Sequence, residues 1–288
     1  MIMALGEKRN MTDAEKEQVI SQALATESGR EALAQAMVEP IKIALEYQAV
    51  GRKLLMTDEL PQGALARYER DIAVKSWVLG KRGAVPDSFV ETEELLVPTF
   101  EIVTNPTIRL SEVKARRFYI VDRAQMKAKE AIQREEDTNI FNTIEAAVPA
   151  AHTVAIAGNL TVSALATAFA EIESHDLTVY KIVMHPQQYK DVRNFGKNVY
   201  DEATTREVLM SGLFGHLWTA DIHVSTRVPE GKVFVLAPGE YVGAFPVRQD
   251  ISVLPADDPK ELRLGWVIYE EVGVTVINDY ATAMVEVS

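Results

Sequence analysis

Five histidines, an Asp-Asp turn and a Glu-Glu pair are the residues in this chain whose types could do chemistry. A helix-borne metal site needs two His one turn apart with a Glu between them, because that spacing puts both imidazoles on one face. His152, His175, His185, His216 and His223 show neither that spacing nor a His/carboxylate ligand pattern, so each is expected to be a surface or structurally satisfied His. Asp257-Asp258 could bind a cation, but Asp-Asp-Pro is ordinarily an exposed turn. Glu270-Glu271 could be an acid/base pair, yet neighbours on a strand point to opposite faces. The sequence holds no GxSxG elbow, no Walker A loop and no GxGxxG after a strand. With no Cys, thiol catalysis, disulfides and thiolate metal sites are all removed. No catalytic, cofactor-binding or metal residues are therefore expected, and a structural role ranks above an enzyme.

At 288 residues the chain suffices for two domains at about 100–200 residues each. The 47% apolar and 25% charged content is that of an ordinary soluble protein. No apolar run reaches the roughly 18–20 residues of a membrane span, and the N-terminus, MIMALGEKRNMTDAEKEQ, lacks a signal-peptide apolar stretch. A cytosolic product without membrane contact is expected. The net charge of −12 argues against a sequence-reading nucleic-acid binder, though it permits enclosing nucleic acid without gripping it.

The first fifty residues read as an arm with helical pieces, since Thr12-Asp-Ala-Glu15 and Ser28-Gly-Arg-Glu31 fit capping boxes and Pro40 ends the second helix. LGKRGAVPDSFVE, Leu79 to Glu91, is a turn between Asp71–Leu79 and a second strand region, Phe89–Val90 continuing through Leu95–Val103. A long two-stranded ribbon results. Such a ribbon is marginal alone in water, so Val74, Trp77, Val78, Phe89 and Leu95 need cover from elsewhere.

The clearest helix follows. Ser111 reads as its N-cap, Phe118, Val121, Ala124, Ala128, Ile132, Ile140 and Ile144 keep helical spacing, and Pro149 stops it. Continuous from Glu112 to Val148, it would reach roughly 55 Å. Lys114, Arg116, Arg117, Arg123, Lys127 and Lys129 come early, and Glu130, Glu135, Glu136 and Asp137 late. That order opposes the helix dipole. It reads either as a solvated face or as head-to-tail charge matching between neighbouring copies.

Beyond Ala150 the pattern turns α/β. Helices are expected over Thr161–Glu173, Pro186–Phe195 and Thr205–Leu213, and a buried strand over Leu177–Met184. Short strands are expected over Asp221–Val224, Lys232–Leu236, Tyr241–Phe245 and Ile251–Leu254, then a closing set over Leu262–Val287.

Taken in order, these elements resemble the major capsid proteins of tailed bacteriophages, the Hong Kong 97-type fold. The resemblance is carried by Ala36-Met-Val-Glu-Pro-Ile41 with Gly51-Arg-Lys-Leu-Leu55 in the arm, Ala84-Val85-Pro86 at the hairpin tip, and Val97-Pro-Thr-Phe100 leading to the spine. Val228-Pro-Glu-Gly-Lys-Val-Phe-Val-Leu236, Gly243 and Arg248-Gln-Asp-Ile251 carry it in the α/β part, and Gly265-Trp-Val-Ile-Tyr-Glu270 with Gly273 near the end.

The resemblance implies an α+β, Hong Kong 97-like capsid fold with N-terminal arm, extended hairpin loop, long spine helix, peripheral domain and axial α/β domain. The boundaries expected are 1–60 for the arm, 61–104 for the hairpin, 105–149 with 257–288 for the peripheral domain and spine, and 150–256 for the axial domain. It further implies self-assembly through pentamers and hexamers into an icosahedral shell around phage double-stranded DNA, without sequence-specific binding. The hairpin would touch a neighbouring subunit through Val74, Trp77, Val78, Lys81, Arg82, Val85, Pro86 and Phe89, and the spine through Arg116, Arg117, Arg123, Glu135 and Glu136. Portal and decoration proteins are possible partners. A separate scaffolding protein, or none, is expected because about thirty residues before the arm are too few for a fused scaffold, and no isopeptide crosslink is expected from Lys75 or Lys81. The location implied is the virion, with assembly in the host bacterial cytoplasm. Two alternatives stand beside it: an encapsulin-type nanocompartment shell, and a soluble α/β enzyme with a hairpin lid.

Overall fold

The computed structural model describes residues 50–61, 63–70, 94–115, 119–195 and 215–288. Residues 1–49 of the expected arm, the expected ribbon strands Asp71–Leu79 and Phe89–Val90 with the turn between them, and the Thr205–Leu213 helix lie outside them. Two compact units emerge. Among the described residues one holds 101–133 and 250–270, and the other holds 50–100, 134–249 and 271–288.

The larger unit is built on a six-stranded sheet in the order β6-β14-β10-β7-β9-β8. Its strands are β6 (Thr153–Ile156), β7 (Lys181–Met184), β8 (His216–Leu217), β9 (Ala220–Val224), β10 (Lys232–Leu236) and β14 (Thr282–Val287). The apolar run Val233-Phe-Val-Leu236 is wholly buried because β10 is central and covered on both faces. One cover comes from the spine helix, where Ile140, Phe141 and Ile144 are fully buried and Phe141 stacks on Phe234 with ring centroids 6.1 Å apart. Another element against this sheet is α3 (Val162–Glu173). Its Leu165, Ala168, Phe169 and Ile172 recur at helical spacing and are buried, and its first turn is closed by the Thr161 hydroxyl accepting from the Ala164 N–H at 3.2 Å. A shorter helix, α4 (Pro186–Arg193), begins with Pro186 at its first turn.

The strands expected as one closing set over Leu262–Val287 are divided. β12 (Arg263–Val272) lies in the other six-stranded sheet, ordered β1-β11-β12-β4, whereas β14 is inserted between β6 and β10. The reason is legible in β14 itself: Thr282, Ala283, Met284 and Val285 are all buried, and a run without alternation needs cover on both faces. The expected peripheral segment 257–288 therefore sends its last strand into the α/β sheet. A second difference concerns Tyr241–Phe245 and Ile251–Leu254. A short helix, α5 (Gly239–Val242), precedes a single 13-residue strand, β11 (Gly243–Pro255), in place of two short strands. Gly243 permits the close crossing, because a Cβ there would stand 2.1 Å from the Thr275 carbonyl of β13 (Thr275–Val276).

β1 (Met56–Glu59) runs parallel to β11, with Met56 opposite Ala244 and Glu59 opposite Val247. β2 (Ala66–Glu69) and β3 (Glu94–Val97) form a separate antiparallel pair, Ala66 opposite Val97 and Glu69 opposite Glu94. The expected continuous strand Leu95–Val103 is broken after Val97, because Pro98 has no N–H to give a ladder; β4 resumes at Phe100 and ends at Thr104.

In the smaller unit β5 (Thr107–Arg109) pairs antiparallel with β12, and Ile102, Ile108, Ile251, Leu264, Trp266 and Ile268 form the core. The helix expected over Glu112–Val148 is described as α1 (Leu110–Ala115) and α2 (Tyr119–Ala147). Ser111 lies inside α1 and is not its cap. The 29 residues of α2 reach about 43 Å. It ends before Val148, which Pro149 biases away from helical backbone.

Candidate assembly surface

The residues that could have done chemistry are occupied structurally. The Asp258 carboxylate accepts from the N–H groups of Lys260 at 3.0 Å and Glu261 at 3.4 Å, closing its own turn. Glu270 and Glu271 alternate as strand neighbours must, Glu270 fully buried and Glu271 half-buried, so they do not face one point. His185 caps α4 by accepting from the Gln187 N–H, and buried His152 bonds through Nδ1 to the Thr282 carbonyl at 3.0 Å. His216 pairs with Asp221 at 2.6 Å. Burial and the nearby Lys181 charge lower the pKa of His223, favouring its neutral form. Among the described residues no group of three or more His, Asp or Glu could hold a metal ion.

What the sheet edges do position is the root of the ribbon. The chain leaves along β2 and returns along β3, with Ala66 and Val97 buried at the base. Arg67 and Leu96 face outward, and Leu96 keeps 58% of its surface exposed. Arg67 also pairs diagonally with Glu94 at 3.0 Å, an exposed contact of little energetic weight. Beneath the base, Glu271 on β12 accepts from the Thr99 hydroxyl at 2.6 Å and from Arg248 on β11 at 2.5 Å. The same guanidinium donates to the Ala64 carbonyl at 3.1 Å. Tyr68 donates to Asp58 at 3.1 Å, and burial together with that carboxylate raises the pKa of the phenol. Gly273 completes the seat, since a Cβ there would come 3.1 Å from the Pro98 carbonyl and 3.2 Å from Val97.

A second anchor holds the first described residues. The single-turn helix Gly51–Lys53 lies on the spine, where Gly51 N–H donates to Asp137 at 2.9 Å and Arg52 bonds Glu136 at 2.6 Å. The Lys181 ammonium donates to the Lys53 carbonyl. Burial raises the pKa of Asp137, with the backbone N–H groups of Gly51 and Val50 and the charge of Arg227 opposing it.

The spine residues expected to touch a neighbour are thus separated. Arg123 and Glu135 are exposed, whereas Glu136 is buried against Arg52 of its own chain. The cause is helical rotation: Glu136 precedes Ile140 by four residues and shares its inward face. Arg116 and Arg117 lie outside the described residues, as do Val74, Trp77, Val78, Lys81, Arg82, Val85, Pro86 and Phe89. Sequence reasoning missed Arg248, Glu271 and Thr99 as a set. Only pairing brings them together: Thr99 and Glu271 stand in segments read as strands, whereas Arg248 falls between the two short strands expected there and lies within the single β11.

A two-unit α+β chain with a ribbon root, a spine helix and a central α/β sheet is the Hong Kong 97-like capsid fold, and solved structures agree. The mature capsid of bacteriophage PhiM1 matches with a TM-score of 0.64 at 13% identity, covering 84% of this chain and 88% of that chain. Microbacterium phage Oxtober96 matches with a TM-score of 0.65 at 12% identity, over 83% and 91%. A virus-like particle from Pyrococcus furiosus matches with a TM-score of 0.59 at 14% identity, over 87% and 98%. No curated protein matches in sequence. The phage capsid protein family matches residues 107–285, and the chain belongs to that family. It is a capsid shell protein, one copy of a multi-subunit assembly.

Proposed function

We propose that this protein assembles through pentamers and hexamers into an icosahedral shell enclosing the double-stranded DNA of a tailed phage, and that it has no catalytic role. The observation that carries the reading is the ribbon root, which sends the chain out at Arg70 and takes it back at Glu94 with Val74, Trp77 and Phe89 between. Apolar side chains such as these gain stability when another copy buries them, at about 25 cal/mol per Å². If every subunit gives one ribbon and receives one, the contact is heterologous and closes into rings. The exposed Arg123 and Glu135 then belong to the receiving spine. The charge of −12 suits a container that must release DNA, because dense phosphate contacts would resist filling and ejection. A separate scaffolding protein, a portal and decoration proteins are the partners such a shell requires or accepts, and the host bacterial cytoplasm is where it forms.

The test is electron microscopy of the purified protein and of Trp77→Asp. Uniform shells from the parent and soluble, folded, unassembled subunits from the variant are expected; normal shells from Trp77→Asp would sink the reading. The likeness to the Pyrococcus furiosus virus-like particle, over 98% of that chain, favours one second reading, a host nanocompartment of encapsulin type. The contents decide: phage-length DNA in particles made during infection supports the first reading, and a co-purified cargo enzyme supports the second.

A further inference from the structure

We propose that Arg248 and Glu271 are positioning residues that fix the angle at which the ribbon leaves the subunit, and that shell curvature depends on this pair. The inference rests on the reading that the ribbon packs on a neighbouring copy. Its basis is a symmetry of contacts. Ala64 stands two residues before β2 and Thr99 two residues after β3, so the outgoing leg begins at one and the incoming leg ends at the other. Arg248 holds the first through its carbonyl at 3.1 Å, Glu271 holds the second through its hydroxyl at 2.6 Å, and the two charges hold each other at 2.5 Å. One ion pair on two adjacent body strands therefore ties both legs. Each side chain is only 25% exposed, so water competes weakly for these bonds.

The rest of the root is held by the buried Ala66 and Val97 and by Tyr68 bonding Asp58. The outer ion pairs, Arg67 with Glu94 and Arg70 with Asp279, are 38–57% exposed, so water competes with them more than with the inner pair. A guanidinium is needed at residue 248 because its planar fork bonds a carboxylate with one nitrogen and a carbonyl with another; an ammonium has no such fixed fork. On the reading that the ribbon packs on a neighbouring copy, a change of angle at the root leaves the subunit folded and alters the contact between copies.

The test compares Arg248→Lys, Thr99→Val and Thr99→Ser with the parent in the full-length protein. Three quantities are read: melting of dissociated subunits, the fraction recovered as closed shells, and the shell diameter distribution by electron microscopy. Expected are subunit melting temperatures close to the parent for all three, with at least a tenfold loss of shells of parental diameter for Arg248→Lys and Thr99→Val. Thr99→Ser keeps the donor and should give parental shells. Should Arg248→Lys fail to fold, Thr99→Val against Thr99→Ser decides, since it severs one leg and spares the ion pair. Parental shells from Thr99→Val, or from a folded Arg248→Lys, would overturn the inference. Trp77→Asp separates the two ideas: if it blocks assembly while the root variants assemble normally, only the curvature role fails, and if it assembles normally, the ribbon reading fails with it.

Discussion

Gly51 and Asp137 illustrate how much a single position can carry. A Cβ on Gly51 would lie 2.4 Å from Ile140 Cδ1 and 2.9 Å from the Asp137 carboxylate, both in the packed seam beneath the first described turn. Gly51→Ala is expected to destabilise the subunit by about 1–3 kcal/mol, the usual range for overpacking, measured by denaturant unfolding. Asp137 gives a pH signature. Burial raises its pKa above the ordinary 3.8, so the folded chain binds its proton more tightly than the unfolded chain does. The stability it contributes is present at low pH and is lost as pH rises from that value through the folded pKa. Asp137→Asn, uncharged throughout, should flatten this fall; parallel stability curves for variant and parent would refute the assignment.

At the scale of elements, the spine helix shows why periodicity identifies a helix but leaves its partners open. Ile132, Ile140 and Ile144 were placed by spacing and are buried as that spacing requires. Phe141 was not singled out, yet it is fully buried and stacks on Phe234 of the central strand. Phe141→Ala should lower subunit stability by about 3–5 kcal/mol, since aromatic truncation leaves a cavity that a close-packed sheet does not refill, and calorimetry would measure it. The carboxylates of this helix teach the complementary point. Glu135 and Glu136 look alike in a charge run, but a step of about 100° along the helix exposes one and buries the other beside Arg52.

For the whole molecule, stability and function come from different surfaces. The α/β sheet and the spine give the subunit its own core, whereas the exposed Leu96 and Arg67 lie on the ribbon root. Shell cohesion is expected to rest on many repeated non-covalent contacts. Shells boiled in denaturant should run on a gel as the 32.0 kDa chain alone, because no crosslink is expected from Lys75 or Lys81. A ladder of multiples would contradict this.

The sequence by itself determined the spine, the main helices and strands of the α/β part, the absence of recognisable catalytic motifs and the family resemblance, because these rest on local pattern and on the order of elements. Lys232–Leu236 was read to the residue and Thr161 was placed at the start of its helix. Tertiary structure alone decided that β14 enters the α/β sheet, that Glu136 turns inward, and that Arg248, Glu271, Thr99 and Ala64 meet under the ribbon. The physical reason is distance along the chain. Arg248 and Ala64 are 184 residues apart in sequence, and no local period encodes a bond that forms only when separate strands are brought side by side.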